Sequence, residues 1–195
     1  KFVEEYNNFV FMAGHSTGVL RWSDLGTIET WTAANTLTLT NNRNDDITGL
    51  IKYLDALFVF CRNSRFLVRG FVTNGIHIAA GYFNEGCTSH RSLVSTPYGL
   101  FWWSKTGMAW SRDGVNIRYP TREKVPNTLE LLNRGQYTKI HGVWHPRYES
   151  VQMYCVSGTG TTENISFWFF PRTETLWVMH GLGTQMGASG MITAT

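Results

Sequence analysis

The sequence predicts an all-β fold, a β-propeller of repeated antiparallel meander blades. Composition is the first observation: aromatic residues make up 14% and charged residues 16% of the 195 residues, with 19 glycines. Aromatic and β-branched side chains pack well on a pleated surface, and their abundance excludes intrinsic disorder. The second observation is that helical periodicity is almost absent; the one candidate is Asn127–Arg134. The third is an internal repeat.

The repeat comprises four copies of one pattern, in which a short strand, a polar turn and a more apolar strand follow one another. The copies span approximately residues 1–46, 47–91, 92–139 and 140–195. Their first turns begin at Asn7, Leu54, Pro97 and His145. A period of roughly 47 residues is typical of a propeller blade, because one small meander cannot bury both of its faces. We therefore expect a single propeller domain, or part of a larger propeller, over 1–195; a β-sandwich stays open as the alternative.

Three strands are predicted in each of the first two repeats, separated by turns rich in Asn, Asp and Ser. In the first repeat the predicted strands are Phe2–Tyr6, Phe9–Ala13 and Val19–Trp22. In the second they are Ile47–Tyr53, Leu57–Cys61 and Arg65–Arg69.

The third and fourth repeats follow the same plan, and the fourth has one strand more. In the third the predicted strands are Ser92–Thr96, Leu100–Ser104 and Met108–Ser111. In the fourth they are Ile140–Trp144, Val151–Val156, Ile165–Phe170 and Thr175–Met179. The helical candidate, one or two turns after Pro126, lies between these two repeats.

Charge and cysteine content point to neither a polyanion partner nor a disulfide scaffold. The net charge is +3, and the arginines are scattered singly. The three cysteines, Cys61, Cys87 and Cys155, form no C-x-x-C pair, so we expect buried free thiols and a reducing compartment of synthesis. The chain begins Lys-Phe-Val-Glu-Glu, without an initiator Met or the apolar region of a signal peptide, which predicts a processed or partial chain.

Two segments carry metal-ligand residue types, and neither is expected to bind a metal. His141 and His145 would meet one ion on a helix, but their segment is predicted as a strand, where residues four apart stand about 13 Å apart. The loop Asn41–Asp46 is rich in oxygen atoms but lacks the alternating acidic pattern of a calcium loop. A solvated turn with Asx hydrogen bonds is the preferred interpretation, with calcium binding as the alternative.

No pattern indicates catalysis. The 5 Asp and 9 Glu are mostly in turns, and no pair is singled out for glycosidase chemistry, which needs two carboxylates about 5 to 10 Å apart. Nucleophile-elbow, Walker A and dinucleotide-binding motifs are absent from the sequence. We predict that the protein is not an enzyme and has no catalytic residue, no cofactor and no metal.

Two segments resemble the aspartate-box hairpin of sialidase-like propellers: Ser23-Asp24-Leu25-Gly26, followed by Trp31, and Ser111-Arg112-Asp113-Gly114. Such hairpins are structural, so they favour the propeller and not an activity. They do raise a second functional hypothesis, a carbohydrate-binding or sialidase-like propeller. In it an exposed tryptophan would stack on a sugar ring; the candidates are Trp102, Trp103, Trp110 and Trp144. Packing in the core is the alternative for each, because tryptophan is highly buried on average.

Four stretches resemble the β-propeller tail proteins of bacteriophages, in particular the nozzle (tail tubular B-type) proteins of short-tailed phages. The stretches are Asn8–Gly14 leading to Leu20–Gly26 and Trp31, Asp46–Leu50 with Leu57–Ser64, Gly86–Val94, and Gly99–Gly107. Their order and spacing also fit that family, and they cover about half of the chain. The turn Lys105-Thr106-Gly107 departs from the family pattern, which has an acidic turn at this point.

The resemblance implies a virion structural protein of the phage tail, assembled in the host cytoplasm. Such proteins form homo-oligomeric rings that bound the channel for DNA and contact adaptor and fibre proteins. DNA passes through without sequence-specific binding, and no membrane insertion, cofactor or catalytic residue is implied. Family members are usually far longer than 195 residues and carry platform and fibre-dock regions besides the propeller.

Overall fold

The computed structural model describes residues 1–39, 45–70 and 75–181. Of these residues, 48% lie in strands and 13% in helices, and every strand pair is antiparallel. The strands form four sheets of three or four strands each, none of them closed within the described ranges. The all-β prediction is confirmed. The chain divides into two compact units, Lys1–His90 and Arg91–Thr195, and each holds two of the sheets. That residues 1–195 form one propeller domain stays a prediction.

The first unit contains sheets 1 and 2, and both are simple meanders in sequence order. Sheet 1 consists of β1 (Phe2–Tyr6), β2 (Phe9–Ala13), β3 (Val19–Trp22) and β4 (Thr36–Thr38). Sheet 2 consists of β5 (Ile47–Tyr53), β6 (Ala56–Cys61), β7 (Ser64–Arg69) and β8 (His77–Phe83). All six predicted strands of this unit are present, within one residue at each end. The fourth strand of each sheet, β4 and β8, was not predicted.

The second unit contains sheets 3 and 4, again as meanders. Sheet 3 consists of β9 (Val94–Thr96), β10 (Gly99–Ser104) and β11 (Gly107–Ser111). Sheet 4 consists of β12 (His141–His145), β13 (Ser150–Cys155), β14 (Ile165–Phe170) and β15 (Thr175–His180). The prediction was wrong at the start of β9, where a 3₁₀ turn, His90–Ser92, precedes the strand. Ser92 lies in this turn and not in the strand, and its hydroxyl accepts a hydrogen bond from the backbone N–H of Trp103.

Short helices connect sheets 3 and 4. They are α1 (Pro120–Lys124) and α2 (Pro126–Glu130), followed by a 3₁₀ helix at Arg134–Lys139. A proline opens each α-helix, because its fixed φ suits the first turn and its missing N–H would be unpaired there. The predicted helix at Asn127–Arg134 therefore overlaps α2 but ends too late. The helix α1 was not predicted from the sequence.

The hairpin turns explain why the meanders are so well marked in the sequence. Asn7 and Asn8 have φ values of 51° and 63°, the left-handed pair that a two-residue hairpin loop requires. Gly99 has φ +141°, and a Cβ there would lie 2.5 Å from Nε1 of Trp110. Only glycine fits that backbone conformation and that close approach.

Each unit has its own hydrophobic core. In the first, alternate residues of sheets 1 and 2 face each other; they include Phe11, Leu20, Leu50, Val59 and Val68. The second core lies between sheets 3 and 4 and is richer in aromatic rings; it includes Phe101, Trp103, Trp110, Phe167 and Phe169. The three cysteines are free and buried, as predicted. Two packed meanders per unit agree with stacked blades and equally with a sandwich.

Candidate functional site

A pocket lies beside the end of β11. Its volume is about 240 Å³, and it is lined by Trp110, Arg112, Asp113, Asn116 and Arg118. The chain leaves β11 after Ser111, makes a loop and returns beside Trp110. The backbones of Trp110 and Arg118 exchange two hydrogen bonds, of 2.9 and 2.8 Å. This closure holds all five lining residues within one short segment of chain.

Asp113 organises the loop. Its Oδ1 accepts hydrogen bonds from the backbones of Val115 and Asn116, both at 2.8 Å, and from the hydroxyl of Ser111 at 3.1 Å. Its Oδ2 accepts one from the amide of Asn116 at 2.6 Å. The bonds from Val115 and Asn116 lower the pKa of Asp113 to about 2. Asp113 is therefore ionised at neutral pH, and its role in the turn is the one expected of an aspartate box.

Trp110 borders the pocket but is almost fully buried. One face stacks on Phe101, with ring centres 5.6 Å apart and planes 6° apart. The guanidinium of Arg112 lies over the ring at 4.7 Å from its centre. The indole N–H donates to the carbonyl of Tyr98 at 3.1 Å. The ring is consequently only 2% exposed and fixed on all sides.

Glu174, in the turn between β14 and β15, connects the two arginines of the pocket. Its carboxylate oxygens lie 3.3 Å from Nη2 of Arg112 and 2.7 Å from Nη1 of Arg118. Arg118 also pairs with Glu123 of α1 at 3.2 Å. Hydrogen bonds from Arg118 to Glu174 and then to Glu123 raise the pKa of its guanidinium. The pocket thus carries positive and negative groups that already balance each other.

The carboxylate of Asp113 is not suited to act as a general acid near neutral pH. A general acid needs a carboxyl that stays protonated near neutral pH, which usually means an apolar environment. Asp113 has the opposite environment, with four hydrogen-bond donors around its carboxylate. The aspartate-box segment Ser111–Gly114 and the stacking candidate Trp110 were predicted from the sequence, but no local pattern marks the return of Arg118 or the distant Glu174.

The other aspartate-box segment is likewise structural. The hydroxyl of Ser23 accepts a hydrogen bond from the backbone of Val10 at 3.0 Å. Oδ1 of Asp24 accepts from the amide of Asn35 at 2.7 Å and from the backbone of Thr32. Hydrogen bonding from Thr32 and Asn35 lowers the pKa of Asp24. The pair holds the loop between β3 and β4 in place.

His141 lies on β12, as predicted, and so does His145, which the prediction placed at the start of the following turn. The ring of His141 stacks on Tyr154, with ring centres 5.0 Å apart, and His145 stacks on Tyr148. Burial lowers the pKa of His141, whose Nδ1 is 3.7 Å from Glu163. Among the described residues, no group of three or more His, Cys, Asp or Glu side chains could hold a metal ion.

The acidic loop is only partly described, since Asn41–Asn44 of the predicted turn lie outside the described residues. Asp45 is buried, so the expectation of a solvated turn is wrong at this position. Its carboxylate accepts hydrogen bonds from the backbone and amide of Asn63 and from the hydroxyl of Ser64. Asp45 thereby fixes the turn between β6 and β7.

The tryptophans proposed for sugar stacking are mostly core residues. Trp102, Trp103 and Trp110 are buried, and Trp144 is half-buried against the second core. Core packing, the alternative interpretation, is confirmed for the three buried rings. Trp177, which is 61% exposed, is not among the predicted stacking candidates. It lies on β15 between Leu176 and Val178, which pack against the core, so strand alternation would have placed it outside.

Two further results concern the chain as a whole. Within the residues that the structure describes, no helix is both long and apolar enough to span a membrane. A comparison with models of protein families found no match, and a comparison with curated proteins found none either.

Proposed function

We propose that this chain is a structural protein of a virion, a propeller component of a short-tailed phage tail. In this role it belongs to a homo-oligomeric ring that bounds the DNA channel and docks adaptor and fibre proteins. The observation that carries the proposal is the resemblance of four stretches, in matching order and spacing, to the nozzle proteins of such tails.

The resembling residues include several on which the local backbone depends. Gly86, in the third stretch, has no room for a side chain, since a Cβ would lie 2.5 Å from the backbone of Arg62. Gly99, in the fourth stretch, is restricted in the same way by Trp110. Ser23, in the first, bonds the backbone of the adjacent β2. A resemblance at such positions supports a shared way of folding these hairpins, and hence a propeller built from stacked meanders.

The charge distribution supports a channel role that does not retain DNA. Each unit contains an arginine that is paired with a carboxylate: Arg65 with Glu85, and Arg172 with Glu149. In the pocket, Glu174 is shared by two arginines. A phosphate held by an unpaired arginine would slow the passage of DNA, because each neutralised phosphate adds affinity. A net charge of +3 gives little of this attraction.

The test uses the full chain and its native source. Native mass spectrometry and negative-stain electron microscopy of the purified chain are expected to show a symmetric ring. Antibodies raised against the chain are expected to label one vertex or the tail of virions. A chain that stays monomeric at high concentration and leaves every particle unlabelled would contradict the proposal.

A further inference from the structure

We propose that β15 pairs edge to edge with the β15 strand of a second copy of this chain, about a two-fold axis. The strand has a free edge and has none of the features that usually protect such an edge. The inference does not rest on the tail role, because it follows from the backbone and side chains of sheet 4 alone.

The free edge of β15 is defined by its ladder with β14. Sheet 4 ends at β15, and the backbone N–H of Gly181 donates to the carbonyl of Asn164 at 3.1 Å. Hydrogen-bonded and non-hydrogen-bonded residues alternate in an antiparallel pair, so every second residue of β15 faces β14 and the others face away. The residues whose N–H and C=O groups face away are Leu176, Val178 and His180. These groups have no hydrogen-bond partner among the described residues.

The last strands of the other three sheets have edges that are short, bulged or covered. β4 has three residues, and the ladder of β8 shifts register between Leu67 and Val68 of β7, which marks a bulge. The edge of β11 is covered by Arg118 and Thr121. In contrast, β15 has six residues in unbroken register and contains no Pro, Lys, Arg, Asp or Glu. Natural proteins seldom leave such an edge unpaired, because its backbone groups are a template for another strand.

A second copy of β15 fits this edge in backbone and in charge. When Val178 lies opposite Val178 of the second copy, Leu176 lies opposite His180. All three outward-facing residues then exchange hydrogen bonds in one register. A two-fold pair brings each side chain near its own copy, so a charged strand would repel itself, and β15 has no Lys, Arg, Asp or Glu. A strongly charged partner strand would find no opposite charge on β15.

The same register brings the exposed apolar side chains of β15 together. Leu176 and Val178 pack against the second core, so Trp177 and Met179 lie on the opposite face of the sheet, where they are 61% and 38% exposed. On each side of the axis, Trp177 of one copy would lie opposite Met179 of the other. A thioether beside an aromatic ring is a favourable contact, and pairing removes both side chains from water. Phe170, whose ring centre is 5.2 Å from that of Trp177, extends this apolar surface towards β14.

The first experiment measures the association of the full chain by sedimentation velocity at a series of concentrations. The wild type is expected to form pairs. Trp177→Lys places a positive charge on each side of the axis and should weaken pairing about tenfold or more. Phe83→Lys is the matched control, because Phe83 is 59% exposed on the last strand of sheet 2 and also contacts one aromatic ring. It should pair like the wild type, and circular dichroism checks that both variants fold.

The second experiment tests the register. Met179→Glu should also weaken pairing, because it brings two carboxylates near the axis. An equimolar mixture of Trp177→Lys and Met179→Glu should pair again, since the introduced charges have opposite signs and lie opposite each other. Hydrogen exchange at the Val178 amide should be slower in the wild-type pair than in Trp177→Lys, because pairing gives this N–H an acceptor.

Three results would overturn the inference. The first is a wild type that stays monomeric at every concentration, which would mean that no second copy covers the edge. The second is equal association of Trp177→Lys and Phe83→Lys. The third is a mixture of Trp177→Lys and Met179→Glu that pairs no better than either variant alone. Pairs without a ring would contradict the tail role alone, and a ring whose symmetry is unchanged in Trp177→Lys would contradict this inference alone.

Discussion

Sheets 2 and 3 begin alike and end differently. In sheet 2 the meander continues to a fourth strand, and β8 pairs along β7. In sheet 3 the chain leaves β11 and covers its outer edge by other means. The backbone of Arg118 forms two hydrogen bonds with the backbone of Trp110 in β11. The hydroxyl of Thr121 in α1 accepts a third hydrogen bond, from the backbone N–H of Met108 at 3.0 Å.

The difference shows that a loop with a pocket can take the place of the fourth strand of a meander. An unpaired strand edge leaves N–H and C=O groups without partners, so the edge must be covered in some way. A strand covers it evenly and leaves no depression. A loop that touches the edge at Arg118 and again at Thr121 leaves space between its polar side chains, and the pocket lies in that loop. The four predicted repeats are thus equivalent in their inner strands and not at their outer edge.

The largest effect on stability is expected from Gly107→Ala, which would disturb the packing of α1 on the edge of sheet 3. Gly107 has φ +119°, and a Cβ there would lie 2.4 Å from the hydroxyl oxygen of Thr121. Strain and the displaced α1 together should lower the free energy of unfolding by about 3 kcal/mol or more. Urea denaturation measures the change. Gly158→Ala is the matched control, since Gly158 has φ +63° but nothing within 4 Å of its Cβ; it should lose only about 1 kcal/mol. Equal losses in the two variants would contradict the role of the close contact.

A smaller effect is expected from Glu85→Gln, which tests how sheet 2 holds a buried charge. The side chain of Arg65 on β7 is fully buried. Its guanidinium lies 4.1 Å from the ring centre of Tyr82 on β8 and donates two hydrogen bonds to Oε2 of Glu85. Breaking a fully buried pair costs roughly 3–5 kcal/mol. Because Glu85 is 32% exposed, we expect a loss of about 2 kcal/mol in urea denaturation. Lys52→Gln, at an exposed ion pair with Glu5, should change stability by less than about 1 kcal/mol. A loss no larger than that of Lys52→Gln would mean that burial of Arg65 does not depend on Glu85.

Thr121→Val should cost about 1–2 kcal/mol, because it leaves the buried N–H of Met108 without its acceptor. Valine keeps the shape of threonine, so packing changes little. Thr121→Ser keeps the hydroxyl and should retain most of the stability. Hydrogen exchange at the Met108 amide is the local measurement. Faster exchange in the valine variant only is the expected result, and unchanged exchange would show that α1 does not close the edge.

The smallest effect is expected from the pH dependence of Asp113. Its pKa of about 2 in the folded chain lies below the ordinary value near 3.9, so its contribution to stability is complete above about pH 4. That contribution is lost as the pH falls from about 4 towards 2. Asp113→Asn should therefore show a shallower loss of stability in this window than the wild type, by thermal unfolding at a series of pH values. Parallel curves for the two proteins would contradict the lowered pKa of Asp113 in the folded chain.

The inner strands could be predicted because they carry strong local signals. In β2, Phe9, Phe11 and Ala13 alternate with half-buried residues directly after the Asn7-Asn8 turn, and both ends were predicted correctly. The outer strands lack such signals. β4 has three residues, and β8 combines alanines and a glycine with only a few large apolar side chains.

The pocket could not be predicted for a different reason. Asp113 is visible in the sequence as a turn residue, and its hydrogen bonds are local. Arg118 matters because its backbone returns to Trp110, and Glu174 matters because another sheet brings it to the same place. Both facts depend on tertiary structure, which spacing along the chain does not encode.

The buried free cysteines of this chain can report on its unfolding through their reactivity. Burial, followed by the charge of Asp45, raises the pKa of Cys61 to about 12, and burial raises that of Cys155 well above its ordinary value. Only the thiolate reacts with alkylating reagents, so at neutral pH the folded chain should react extremely slowly. Cys61 belongs to the first unit and Cys155 to the second. Mass-spectrometric alkylation rates at the two thiols would therefore time the unfolding of each unit separately, without any engineered label.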